Sequence, residues 1–301
     1  MLARLQRFIT VLLLVLALGW LGYFYPRSPG LALAGFLVVV FGHAAVLALE
    51  FAFAWRLNHR DPAPPPTLWS MLQAWVGEST VAPQVFCWRQ PFRAAEVPDQ
   101  ASGPTCEGRR GVVLVHGFFC NRGFWNPWLK RLRTEGHPFI ALTLEPVFGS
   151  IDAYVPAIDA AVTRITEATG LAPLLVCHSM GGLAARAWLK HMKAEPRVHR
   201  IVTIGTPHGG TWLARFGHGH NTRQMRLQSD WQQQLDQGMP EGRHALFTCW
   251  YSNCDNIVFP TSTAILAGAD NRRVPAAAHV QMAFLPEVMD GTLALLAPPT
   301  P

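Results

Sequence analysis

The hexapeptide Cys177-His-Ser-Met-Gly-Gly182 lies between an apolar run, Leu171 to Val176, and a helix-like stretch, Leu183 to Lys190. A serine placed between a buried strand and a helix, among small residues, sits on a tight, strained turn that exposes its hydroxyl at a sheet edge. Ser179 is therefore the candidate nucleophile. A serine hydroxyl attacks an acyl carbon only with a base in reach and N–H donors aimed at the developing oxyanion. The N–H of Met180, at the start of the following helix, is one such donor. Gly181 lets backbone and substrate approach closely. One departure from the usual Gly-x-Ser-x-Gly pattern is Cys177 at the first glycine position, a small residue that makes the turn tighter.

Three further segments fall in a consistent order. Gly111-Val-Val-Leu-Val-His-Gly117 is a short β-branched strand ending in His116 and Gly117, and the loop after it offers the N–H of Phe118 as the second oxyanion donor. Val198 to Ile204 is another strand, running into Gly205-Thr-Pro-His-Gly-Gly210. Leu246 to Tyr251 is a third, followed by Ser252-Asn-Cys-Asp-Asn-Ile-Val-Phe-Pro260, and His279 stands in Ala276-Ala-Ala-His-Val280.

On these motifs the chain resembles an α/β-hydrolase, most closely the bacterial triacylglycerol lipase and esterase branch, over roughly residues 110 to 297. The resemblance implies a mostly parallel sheet with helices on both faces, a cap segment, and a triad in the order serine, acid, histidine, which Ser179, Asp255 and His279 satisfy. Asp230, Asp236, Asp270 and Asp290 are the competing acids. Asp255 is preferred because it follows a strand and precedes Ile257-Val-x-Pro260, where the family places its acid. Its task would be to fix the imidazole tautomer and stabilise the imidazolium. No other histidine follows Asp255, so His279 is the expected general base. His116, His178 and His208 are expected near the site as neighbours that stabilise its turns.

The elements that would carry this chemistry follow an apolar N-terminus. Phe8 to Tyr25 has no charged residue, and Gly30 to Leu49 has His43 as its sole ionisable group. Each is about long enough to cross a hydrocarbon core of ~30 Å at ~1.5 Å per residue. The short Pro26-Arg-Ser-Pro29 connector suggests a two-helix transmembrane hairpin with spans at 8–25 and 30–50, inside an anchor covering residues 1–60. The basic start, Met1 to Arg7, also fits a secretory signal, but no small-residue cleavage site precedes Pro26. Arg4, Arg7, Arg56 and Arg60 flank the pair against Arg27 alone in the connector, which places both ends, and with them the hydrolase domain, in the cytoplasm beneath an inner membrane. His43 and Glu50 are seven residues apart on one helix face and could pair within the membrane or contact a partner, but the preferred reading is that Glu50 marks the interfacial end of the helix.

Asp61-Pro-Ala-Pro-Pro-Pro66 reads as a stiff linker over 61–66, and residues 67–301 as the hydrolase domain. Thr67 to Val76 is expected to be a helix with Leu68, Met71, Leu72, Trp75 and Val76 on its apolar face. The Arg-, Gln- and His-rich stretch over 210–244 is a candidate lid, the alternative being an ordinary surface helix. The six cysteines lack metal-ligand spacing. Cys249 and Cys254 would form a disulfide in an oxidising compartment and stay free thiols in a reducing one. The net charge of +6 favours anionic lipid headgroups, and no motif accompanies it that would suggest nucleic acid.

The expected activity is cleavage of lipid or other long-chain acyl esters through an acyl-enzyme on Ser179, with no metal or organic cofactor. Two alternatives stand beside it. One is an acyltransferase or deacylase of membrane-linked conjugates, similar to GPI inositol-deacylase relatives of these lipases. The other is a non-catalytic, membrane-tethered interaction module on a hydrolase fold. Protein partners are left open by the sequence.

Overall fold

The computed structural model describes residues 1–103, 106–237 and 242–297. Two long helices come first, α1 (Leu2–Phe24) and α2 (Pro29–Asn58), joined by a tight turn. Ser28 caps α2 by accepting from the Leu31 N–H, and Pro29 at the first position has no N–H to leave unpaired. The pair packs closely because Gly35 lies against Trp20, whose Nε1 donates to the Leu31 carbonyl at 3.1 Å. Both helices extend beyond the expected spans, since hydropathy marks the apolar stretch and not the helix ends. Both are long and apolar enough to cross a membrane, and the apolar stretch of each is almost wholly exposed.

The protein-side ends of the two helices are fixed. Gln6 of α1 donates to Gln90 and to the Phe119 carbonyl. Asn58 of α2 donates to the Asn253 carbonyl at 2.9 Å and accepts from the Thr261 N–H at 3.0 Å. The proline-rich stretch is tied down as well: Asp61 accepts from Ser262, and the Pro64 carbonyl accepts from Asn253. Glu50 reaches Asn256, whereas His43 contacts the Val40 and Ser79 carbonyls, so the two do not pair.

Helix α3 spans Leu68–Pro83, capped by Thr67, and continues as a π-helical turn over Gln84–Arg89. Its buried side is Met71, Ala74 and Glu78. Leu68, Trp69, Leu72 and Val76 are exposed, so four large apolar side chains face away from the protein. The helix runs past the expected Val76, and its apolar face divides, with Met71 buried beside Ala74 and Glu78 in the row that meets α2 and the region around His279, and Leu68, Leu72 and Val76 exposed.

The core of the molecule is a six-stranded, all-parallel sheet: β1 (Val112–Val115), β2 (Phe139–Ala141), β3 (Leu174–His178), β4 (Arg200–Ile204), β5 (Phe247–Tyr251) and β6 (Asp270–Arg273), ordered β2-β1-β3-β4-β5-β6. Every strand pair is parallel. Helices α4 (Asn126–Thr134), α5 (Val155–Thr169) and α6 (Met180–Met192) cover its two faces. Alternate strand residues enter opposite cores: Val113, Leu175, Cys177 and Ile201 pack with α5 and α6, while Val112, Leu174, Val176 and Val202 pack with α4. Strand order reverses between β1 and β3, which opens a crevice at their C-terminal ends, the position where such sheets bind ligands.

The stretch after β4 breaks into a 3-10 turn (Trp212–Phe216), α7 (His220–Gln224) and α8 (Asp230–Asp236). It is anchored, with Asp236 paired to Arg186, Trp231 Nε1 donating to Asp152, and Trp212 packed on Phe53 and Phe259. Positions 238–241 of the candidate lid, and 298–301, lie outside the described residues. After β6 the chain forms α9 (His279–Met282) and α10 (Pro286–Leu293). The six cysteines are free thiols.

Candidate active site

Ser179 ends β3 and immediately precedes α6, with φ 54° and ψ −127°. This left-handed conformation costs a non-glycine residue about 1–3 kcal/mol and persists only where the surroundings impose it. The surroundings are specific. The Ser179 N–H donates to the Ile204 carbonyl at 2.9 Å, and its own carbonyl accepts from Thr206 Oγ1 at 2.8 Å. Gly181 brings α6 hard against the end of β1: a Cβ there would lie 2.3 Å from the Val115 carbonyl oxygen and 2.7 Å from that of His116. Cys177 fits without distortion, buried in register with Thr203.

Asp255 and His279 meet at the same crevice. His279 Nδ1 donates to Asp255 Oδ2 at 2.8 Å, with the side chains 5% and 1% exposed. Gly205 closes this corner, since a Cβ on it would lie 3.1 Å from both Asp255 Oδ2 and His279 Nδ1. Ile204, which accepts the Ser179 N–H, directly precedes this glycine. The Ser179 hydroxyl makes no hydrogen bond among the described residues. Burial alone would lower the His279 pKa, but the Asp255 charge and hydrogen bond, with smaller contributions from Glu78 and Glu50, raise it above the ordinary imidazole value.

The loop after β1 supplies the facing wall. Gly117 lies against the serine, where a Cβ would come within 2.7 Å of Ser179 Cβ. The N–H groups of Phe118 and Met180 have no acceptor among the described residues, leaving both available to an incoming oxyanion. Phe118, Phe119 and Phe148 cluster there, with ring centroids 5.7 to 6.4 Å apart.

The three remaining histidines have separate fates. His116 is buried; its Nδ1 donates to the Gly117 carbonyl at 2.8 Å and its Nε2 accepts from the Leu144 N–H at 3.0 Å, which fixes a neutral tautomer. Desolvation holds its pKa down to about 4. His178 stacks on Phe124 and donates through Nε2 to the His279 carbonyl at 3.2 Å; burial and the nearby His279 charge keep it neutral. His208 is not brought to the serine. It turns into the α6 side of the sheet, against Thr203, Cys249 and Phe247. Three of the four other candidate acids are engaged away from His279, Asp236 with Arg186, Asp270 with Arg272 and Asp290 with Arg131, and Asp230 is exposed in the first turn of α8.

Four further residues at the site were not expected there from the sequence. Asn256 Oδ1 accepts the His279 N–H at 3.2 Å, Glu50 accepts from Asn256 Nδ2, Glu78 accepts the two following amides, and Thr206 holds the serine carbonyl. Among the described residues no cluster of histidine, cysteine and carboxylate side chains could hold a metal ion. Two surface clefts, one beside Trp88 and Lys130 and the other beside Trp212 and Arg226, do not include the three site residues.

Comparison with known proteins agrees with this fold. Two solved structures share the fold. Aspergillus fumigatus lipase B is 19% identical with a TM-score of 0.55, over 60% of this chain and 51% of that one. The mature form of Bacillus licheniformis lipase BlEst2 is 18% identical with a TM-score of 0.56, over 67% of this chain and 96% of that one. The chain thus spans about half the length of the Aspergillus lipase, and at these identities the likeness is one of fold. No curated protein sequence matches it. The model of the alpha/beta hydrolase family matches residues 112–298, from β1 through α10, and the chain belongs to that family.

Proposed function

We propose that the protein is a membrane-anchored serine hydrolase that cleaves carboxylic esters, with lipid or other long-chain acyl esters as substrates. The observation that carries the reading is the buried 2.8 Å contact between His279 Nδ1 and Asp255 Oδ2, set beside a serine in a strained turn. With Nδ1–H committed to the carboxylate, Nε2 carries the lone pair a base needs. Hydrogen bonds between base and nucleophile are often long in the free enzyme and close on substrate, so an unbonded Ser179 hydroxyl is compatible with this role.

In the first half-reaction Ser179 Oγ attacks the ester carbonyl carbon while His279 Nε2 takes its proton. The carbonyl oxygen, now negative, is met by the N–H groups of Phe118 and Met180. As the tetrahedral species collapses, the bond to the alcohol oxygen breaks and the imidazolium returns the proton to the leaving alcohol. Water then attacks the acyl-enzyme with His279 again as base, releasing the acid and restoring the Ser179 hydroxyl.

Three features support an apolar, membrane-borne substrate. Phe118, Phe119 and the half-exposed Phe148 line the approach to the oxyanion loop. The two apolar N-terminal helices are exposed and both of their protein-side ends are fixed, so the connector at Pro26–Ser28 is the distal tip. Helix α3 runs beside α2, with Trp75 Nε1 donating to the Ala44 carbonyl and the Ser79 carbonyl on His43, which sets its exposed stripe Leu68, Trp69, Leu72 and Val76 level with the apolar stretch of α2. With Arg4, Arg7, Arg56 and Arg60 on the domain side against Arg27 at the tip, the hydrolase domain faces the cytoplasm.

The test is hydrolysis of p-nitrophenyl esters of increasing acyl length by the detergent-solubilised full chain, with Ser179→Ala as control. Turnover that rises with chain length and vanishes in the variant is expected. Turnover of equal rate in the variant contradicts the assignment, and acyl transfer to an added alcohol in preference to water would identify an acyltransferase.

A further inference from the structure

His279 is held from several directions, and two of the supports come from the N-terminal helices. Its N–H donates to Asn256 Oδ1, while Asn256 Nδ2 donates at 2.8 Å to Glu50 Oε2 of α2. Its carbonyl accepts from His178. The next two amides converge on one carboxylate of α3: Val280 N–H donates to Glu78 at 3.0 Å (Oε1) and 3.2 Å (Oε2), and Gln281 N–H donates to Oε2 at 2.9 Å. Gly77 packs against the Gln281 side-chain amide, where a Cβ would lie 2.2 Å from Nε2.

Glu78 is 2% exposed and has no cationic side chain bonded to it among the described residues. A glutamine oxygen could receive both amides only with its Nε2 set against the Val280 N–H, so the two oxygens of a carboxylate match the donors here. Burying a carboxylate without a cation is costly. The neighbouring group that gains positive charge is His279, as imidazolium, and each charge stabilises the other.

We propose that Glu78 is a positioning residue for the reaction: through the amides of Val280 and Gln281 it fixes the backbone that presents His279, and its charge favours the imidazolium formed during acyl transfer. This rests on the reading of His279 as general base. It also makes the N-terminal helices part of the catalytic apparatus, with Glu50 acting in parallel through Asn256. The groups that face His279 from the packed elements are Asp255 after β5, His178 at the end of β3, Glu50 on α2 and Glu78 on α3. His178 is held neutral, and the Cys254 thiol beside Asp255 is raised by burial and stays protonated. Desolvation pushes Glu78 up to about 7.

The experiment compares the full chain in detergent with Glu78→Gln, which keeps one acceptor oxygen and removes the charge. Imidazole titration of His279 is followed by NMR, assigned with His279→Asn, alongside the pH profile of kcat/KM. In the variant the His279 pKa should fall by about half a unit or more, and the acid limb of the profile should move down in pH with it. Glu78→Asp retains a carboxylate and should recover part of the shift; should the glutamine variant not fold, Glu78→Asp alone must still lower the His279 pKa. An unmoved His279 titration in a folded variant overturns the proposal while leaving Ser179-dependent turnover intact. A shifted titration without such turnover overturns the hydrolase reading instead.

Discussion

Asp255 holds His279 with one carboxylate oxygen and is itself held by the other. Oδ2 receives Nδ1–H of His279 at 2.8 Å, and Oδ1 accepts the N–H groups of Ile257 and Val258, each at 2.8 Å. The two amides fix the plane of the carboxylate, so it can meet only one imidazole orientation. Asp255→Asn has no good geometry available. An amide nitrogen facing Ile257 and Val258 meets two donors, and one facing His279 forces Nδ1 to accept and moves the proton to Nε2. The expected loss in kcat is about 10³- to 10⁴-fold with KM within a few-fold, measured on the preferred p-nitrophenyl ester; a loss under tenfold would exclude Asp255 as the acid.

Gly181 should tolerate no side chain. The atoms a Cβ would meet, 2.3 and 2.7 Å away, are main-chain carbonyl oxygens that cannot rotate aside. Gly181→Ala should therefore destabilise the domain by about 1–3 kcal/mol, lowering the thermal midpoint by several degrees and displacing the Met180 N–H. A variant with wild-type stability and rate would show that α6 does not need this close approach.

Acid should weaken the fold through His116. Its folded pKa near 4 lies below the ordinary 6.5, so between those values the unfolded chain binds a proton that the native one refuses. Stability is then full above pH ~6.5 and falls as pH drops toward ~4, by about 3 kcal/mol from this residue alone. His116→Gln supplies a donor and an acceptor that do not titrate, and should flatten the dependence of the thermal midpoint between pH 7.5 and 5. An unchanged slope would place the acid sensitivity elsewhere, with buried His178 or His208 the next candidates.

Topology can be read with single cysteines at exposed, opposite ends of the molecule. Arg27→Cys marks the tip of the hairpin and Lys193→Cys the far side of the hydrolase domain. In sealed cells a membrane-impermeant maleimide should label position 27, and should label position 193 only after permeabilisation. Labelling of both from one side would mean that the helices do not span.

Local motifs made the candidate nucleophile legible. Ser179 announces itself because strand, small residues and helix are contiguous, and the loop at His116-Gly117 and Asp255 after β5 follow the same local logic. Helix α5 and strands β2 and β6 gave less. Phe139–Ala141 is too short for periodicity, and β6 reads Asp-Asn-Arg-Arg at a sheet edge, where no apolar pattern is required. Glu50 and Glu78 were illegible for a different reason. Each is the one acidic residue of its helix, and its partner lies roughly two hundred positions away, at Asn256 and at Val280–Gln281. Spacing along the chain carries no information about such contacts. The orientation of His208 was hidden likewise, since its partners Thr203 and Cys249 come from two different strands.

The most direct test of the central claim is covalent. The solubilised full chain is treated with a fluorophosphonate and the adduct is mapped by peptide mass spectrometry. A single adduct on Ser179, lost or greatly slowed in His279→Ala, is the expected result. An unlabelled Ser179 in folded protein, or an adduct that forms equally fast without His279, would contradict a serine nucleophile activated by this histidine.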